Sequence, residues 1–113
     1  MCESWEGSWC SMNLEEMQTK AMNNAVDYGK RCNITIDEEF ALLKLYEEVG
    51  EFAKALLIHR KKCRPEKCLS EDASKKELAK ELADVLGMVL VNAHLLNIDL
   101  SDALNKKWFN KEK

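Results

Sequence analysis

Leu45-Tyr46-Glu47-Glu48-Val49-Gly50-Glu51-Phe52 and, 33 residues further on, Leu78-Ala79-Lys80-Glu81-Leu82-Ala83-Asp84-Val85 follow one pattern. Superposed at that offset, Glu48 falls on Glu81 and Glu51 on Asp84, and Leu45, Val49, Phe52 and Leu56 fall on Leu78, Leu82, Val85 and Val89. The apolar spacing is helical, and residues three apart share a helix face one turn apart. Each segment therefore carries a carboxylate pair at the edge of an apolar stripe. Packed antiparallel through those stripes, the two helices would bring four carboxylates together. Four such charges repel and lose hydration, so the arrangement calls for a compensating cation. With oxygen ligands only, that cation is a hard ion: Mg²⁺, with Mn²⁺ as the alternative.

Composition sets the frame. The 113 residues suit one domain, and 46% hydrophobic and 33% charged residues, with one Pro and four Gly, suit a soluble helical chain. No stretch alternates apolar and polar residues over strand length, so the expected fold class is all-α, an antiparallel bundle of about four helices. A net charge of −3 gives no electrostatic footprint for duplex nucleic acid. The N-terminus lacks a basic segment leading into an apolar one, and the longest apolar run, residues 85–96, is too short to span a bilayer. No membrane association and a cytoplasmic location are expected.

The five cysteines are odd in number and argue against a disulfide framework. His59, Cys63 and Cys68 form the sharpest alternative, a zinc site, although free thiols explain them more simply.

Along the chain, residues 1–12 read as an irregular arm carrying Trp5 and Trp9, and residues 13–113 as a single helical domain. Asn13 with Glu16 forms a capping box for a first helix running to about Arg31, with Leu14, Met17, Ala21, Val26 and Tyr28 as its buried candidates. Asp37 caps a second helix to about Lys62, whose apolar face is Leu42, Leu45, Tyr46, Val49, Phe52, Ala53 and Leu56. A loop containing Pro65 follows. Ser74 with Glu77 reads as the capping box of a third helix that ends near Asn97. Beyond Asp84 this helix is apolar almost all round, and one small chain offers little to surround it. A homodimer or homotetramer completing the bundle is expected. Asp99 with Asp102 caps a last helix to about Glu112, on which Lys106, Asn110 and Lys113 share a face. His94 reads as a core histidine, and Val91 where a Glu-x-x-His pattern needs glutamate tells against a di-iron bundle.

The pattern Glu47-Glu48-x-x-Glu51, a 29-residue spacer, then Glu81-x-x-Asp84, with Asn97-Ile98-Asp99-Leu100 and a basic last helix, resembles the MazG-like all-α nucleoside triphosphate pyrophosphohydrolases over residues 40–113. The resemblance implies that Glu48, Glu51, Glu81 and Asp84 hold Mg²⁺. It also implies cleavage of a nucleoside triphosphate between the α and β phosphates, giving a monophosphate and pyrophosphate. Glu47 or Glu77 would orient or deprotonate the attacking water. Lys106, Asn110 and Lys113 would face the phosphates or sugar, with Lys113 standing where the family usually has Arg and so lacking its bidentate fork. Lys44 would contact phosphate, or else pair with Glu48 one turn on. Trp108, Phe109, Trp5, Trp9 and Tyr28 are the aromatics available to stack on a base. Two alternatives remain: a phosphoribosyl-ATP pyrophosphatase, and a non-catalytic helical dimerisation module whose acids only solvate the bundle.

Overall fold

The computed structural model describes residues 11–110, and all of its regular structure is helical. Helix α1 (Leu14–Cys32) leads into α2 (Glu38–His59), α3 (Glu71–Leu95) and a short α4 (Leu100–Leu104) that continues as a π-helical turn, Asn105–Phe109. The expected all-α bundle is the fold observed.

Helix starts follow side-chain chemistry. The Asn13 side chain accepts from the Glu16 N–H and Glu16 returns a bond to the Asn13 N–H, a complete capping box. Asp37 accepts from Phe40 N–H at 2.9 Å, and Asp99 from Asp102 N–H at 3.2 Å. The third helix departs from expectation. Ser70, not Ser74, is its N-cap, accepting from Ala73 N–H, and Glu71 and Asp72 complement the first turn. Ser74 instead lies inside the helix, 1% exposed, where its hydroxyl donates to Glu71 O and meets His59 Nδ1 at 2.7 Å.

Helix ends depend on residues that tolerate the left-handed region. α2 stops at His59, short of Lys62, because Lys61 turns to φ 60° and Lys62 N–H closes back on Leu57 O at 2.8 Å. Asn97 (φ 59°) ends α3 the same way, with Ile98 N–H on Ala93 O, and α4 leaves bent by 110°. The last helix is shorter than expected: after five α-helical residues the wider π turn takes over, and Asn110 N–H bonds Asn105 O. Regular helical spacing therefore does not continue from Lys106 to Asn110.

α2 and α3 form an antiparallel hairpin. At one end His59 meets Ser74; at the other, Asn92 Nδ2 donates to Ala41 O at 3.0 Å. The residues at the seam are small or half-buried: Ala41 and Ala55 are buried, and Leu45 and Phe52 partly so. The rest of the expected apolar face of α2 points elsewhere. Leu42, Tyr46, Val49, Ala53 and Leu56 are exposed, Tyr46 at 69%, as are Leu82 and Leu86 of α3. The physical reason is rotation about the helix axis. Ala41, Glu48 and Ala55, seven apart, face α3, so the more apolar stripe beside them faces outward.

α1 lies across this hairpin. Its buried contact is not the expected Val26, which is exposed, but Gln18, whose Nε2 donates to Ile98 O at 3.0 Å and whose Oε1 accepts from Leu100 N–H at 3.1 Å. At its other end, buried Gly29 lets residues 34–36 fold back: a Cβ there would sit 2.6 Å from Ile34 O and 2.9 Å from Ile36 Cγ1. His94 is exposed on the last turn of α3 rather than in the core. No single helix among the described residues is long and apolar enough to cross a membrane. Trp5, Trp9, Glu112 and Lys113 lie outside the described residues.

Candidate metal centre

The register of the α2–α3 hairpin is set by its two ends. His59 lies opposite Ser74 and Ala41 opposite Asn92, and the same register places Glu48 level with Asp84 and Glu51 level with Glu81. Side chains follow this arrangement in part. One carboxylate oxygen from each of Glu48, Glu81 and Asp84 lies within 4.8 Å of the others, the one such group of three metal-ligating side chains among the described residues. Glu51 is not in that group. Its carboxylate is turned to Lys54 at 3.5 Å, and with Glu77 and Glu81 it lines a small cavity on the far side of Glu81. The acids thus run along the seam as Asp84, Glu48, Glu81 and Glu51, with the first three gathered.

Electrostatics at the cluster follow from its position. The Glu48 side chain is only 15% exposed. Its carboxyl is held above the ordinary glutamate value, first by burial and then by the Asp84 charge, with Glu81 and Glu47 adding to the effect and Lys44 opposing it. Lys44 Nζ is 2.7 Å from Glu47 and 3.8 Å from Glu48. Its ammonium is held above the ordinary lysine value, chiefly by the hydrogen bond to Glu47. One lysine shared by two glutamates does not neutralise the three gathered acids. The donor set, oxygen-only and repelling within a partly buried seam, fits a hard divalent cation.

Beside the cluster a groove of about 490 Å³ opens between the three long helices, a size suited to a small ligand. Glu48, Asp84 and Lys44 lie along it with Phe40, and Asn24, Tyr28 and Arg31 form the α1 wall. Tyr28 and Phe40 are tilted neighbours with ring centroids 6.5 Å apart, and the Arg31 guanidinium carbon is 6.0 Å from the Tyr28 ring centroid. Gly87 also lines the groove, and a Cβ there would meet nothing within 4 Å, so the space is open.

The other residues singled out from the sequence are placed as follows. Glu47 is outward, paired with Lys44, and Glu77 pairs with Lys80 at 3.4 Å while lining the Glu51–Glu81 cavity. Lys106 pairs with Asp102 at 3.1 Å and, like Asn110, is not among the groove-lining residues. Trp108 and Phe109 are exposed on the π turn. His59 is turned to Ser74, so it does not join Cys63 and Cys68 in a zinc-ligand group. The groove residues least legible beforehand are Asn24 and Arg31. Their signal was spacing alone: Asn24 and Arg31 recur at helical intervals with Ala21 and Tyr28, which read as core.

An all-α hairpin with acids gathered at its seam beside an open groove sets a place that could hold a metal ion next to a place for a small ligand. The model of the MazG nucleotide pyrophosphohydrolase domain matches residues 37–111, from the cap of α2 to beyond the π turn, and the chain belongs to that family. No curated protein and no solved structure matches the chain. α1, one wall of the groove, lies outside the matched residues.

Proposed function

We propose that this chain is a Mg²⁺-dependent nucleoside triphosphate pyrophosphohydrolase, adding water across the α–β phosphate bond to release a nucleoside monophosphate and pyrophosphate. The observation that carries the reading is the gathering of Glu48, Glu81 and Asp84 within 4.8 Å at the mouth of a groove able to hold a nucleotide. Those three residues would hold the metal, and Glu51, one side-chain rotation from its Lys54 pair, is the reserve ligand. Bound there, Mg²⁺ (or Mn²⁺) supplies neutralisation of phosphate charge and acidification of a water.

The chain's own residues do the remaining work. Lys44, poised between Glu47 and Glu48, can exchange a carboxylate for a phosphate oxygen at the acidic end of the groove. The Tyr28–Phe40 pair offers an aromatic face to a base, and Asn24 offers both a donor and an acceptor to its edge. Glu77 lies on the Glu81 side and is the better placed of the two candidate water-orienting acids; Glu47 is outward and occupied by Lys44. Lys106 and Asn110 do not line this groove, so their assignment to phosphate is carried by the proposed oligomer. A second copy of this chain, in a homodimer or homotetramer, would cover the exposed leucines of α2 and α3.

The test is pyrophosphate release from a panel of nucleoside triphosphates that includes phosphoribosyl-ATP, with Mg²⁺, with Mn²⁺ and with EDTA. Metal-dependent release is expected. Equal release with EDTA would overturn the metal assignment. No release from any substrate by folded protein would favour the second reading, a helical dimerisation module, for which the exposed apolar flank is the supporting observation.

A further inference from the structure

The geometry points to Cys63 and Cys68, side by side in the α2–α3 connection, as an oxidisable dithiol that closes to an intramolecular disulfide with small disulfide oxidants of the glutathione class. Nothing in this inference rests on the pyrophosphohydrolase reading.

The two Sγ atoms are 3.3 Å apart, close enough for one thiol to hydrogen-bond the other. The backbone keeps them there. Pro65 opens a single 3₁₀ turn, Pro65–Lys67, in which Lys67 N–H bonds Arg64 O at 2.9 Å and Cys68 N–H bonds Pro65 O at 3.2 Å. Proline restricts φ at the first position of that turn, so the return of the chain is built in. On either side the segment is pinned, by the Lys61–Lys62 closure of α2 and by the Ser70 cap of α3. Thiols already adjacent lose little further freedom on bonding, so intramolecular capture outruns a second encounter from solution.

The surroundings favour the chemistry. Residues 60–68 hold Arg60, Lys61, Lys62, Arg64 and Lys67 against one acid, Glu66. That excess of positive charge attracts an anionic disulfide. Cys68 is exposed and Cys63 partly so. The Cys63 thiol is pushed up chiefly by its hydrogen bond to Cys68, which fits a resolving rather than an attacking sulfur. Among the described residues no third ligand joins the pair: His59 is held by Ser74.

In the first step the Cys68 thiolate attacks one sulfur of oxidised glutathione, forming a mixed disulfide and expelling a glutathione thiolate. Cys63 then gives up its proton and attacks the Cys68 sulfur, expelling the second glutathione. Two cysteine thiols are oxidised, and one glutathione disulfide is reduced to two thiols.

The experiment equilibrates the full chain in graded ratios of reduced to oxidised glutathione, traps free thiols by alkylation and maps the peptides by mass. A Cys63–Cys68 linked peptide, lighter by about 2 Da than its reduced form, is the expected product. It should appear before adducts at exposed Cys32. Closing so short a loop should raise the melting temperature by roughly 5–10 °C. The Cys63→Ser variant should stop at a glutathione adduct on Cys68 and lose that rise. Separate adducts on Cys63 and Cys68, no more linked to each other than to Cys32, would overturn the inference. So would stoichiometric Zn²⁺ binding by the reduced protein that is lost in Cys63→Ser.

Discussion

The two flanks of α2 face opposite environments with the opposite of the usual chemistry. The flank against α3 carries Glu48 between buried Ala41 and Ala55 and meets two further acids, Glu81 and Asp84. The flank turned away carries Leu42, Tyr46, Val49 and Leu56, all exposed. An ordinary amphipathic helix would be turned the other way. Burying each of those outer side chains would contribute about 1.5–3 kcal/mol, so the hairpin leaves a large favourable term unused while accepting repulsion at its seam. The small residues at either end of the seam explain how it holds: Ala41 and Ala55 allow close approach, and the Asn92 and Ser74 hydrogen bonds close each end. The contrast is what the proposed metal centre would require: a seam that keeps its acids together at a cost in stability.

The largest effect should come from the seam. Glu48→Gln and Glu81→Gln should each lower pyrophosphate release by more than about 100-fold, beyond the loss of an outer-shell contact; near-normal turnover in either variant would break the comparison. The outer flank should answer in assembly. Leu82→Asp with Leu86→Asp places charge where apolar burial is proposed, and light scattering after gel filtration should show a shift to monomer with helicity retained. If wild-type protein is already monomeric, the flank loses its assigned purpose. A smaller effect is expected at Glu51: Glu51→Gln should cost about tenfold in kcat/KM, less than Glu48→Gln, because Glu51 stands outside the gathered three. Equal losses would mean that all four acids act as one set.

The smallest effect concerns pH. Burial and Asp84 raise the Glu48 carboxyl above its unfolded value, so the folded protein holds that proton more tightly than the unfolded chain does. The associated stability is fully present below the ordinary glutamate range and is lost as pH rises through the raised value. Metal-free wild-type protein should therefore resist urea better on mild acidification, whereas Glu48→Gln should lack that gain. Added Mg²⁺ should protect the wild type at neutral pH more than the variant. A pH response identical in the two proteins would remove Glu48 from the buried seam.

Much of this was legible in the residues because it is local. Asn13 with Glu16, Asp37, and Asp99 with Asp102 are caps formed within one turn, and the repeated acid pairs lie on the two helices that do pack together. What was not legible depends on partners distant in sequence. Ser74 reads as a cap by pattern, yet His59 gives it a buried role and leaves the cap to Ser70. Periodicity groups Leu42, Tyr46 and Val49 on one face without saying what that face meets, so the outward rotation of α2 could not be read from spacing. The π turn at Asn105–Phe109 likewise follows no periodic signal, and it carries Lys106 away from regular register with Asn110. Glu51 and Asp84 are equivalent in sequence and in register yet unequal in space, because Glu51 is turned to Lys54 while Asp84 gathers with Glu48 and Glu81.

Gln18 and Gly29 secure the two ends of α1, one by a pair of hydrogen bonds to the chain after α3 and the other by the close return of residues 34–36. Between these anchors, Asn24 and Tyr28 face the groove and contribute nothing to the acidic cluster. Mutation can therefore explore that interval while the acidic cluster stays intact. α1 is in that sense an exchangeable panel: substitutions on it would change what the groove admits without rebuilding the proposed metal centre.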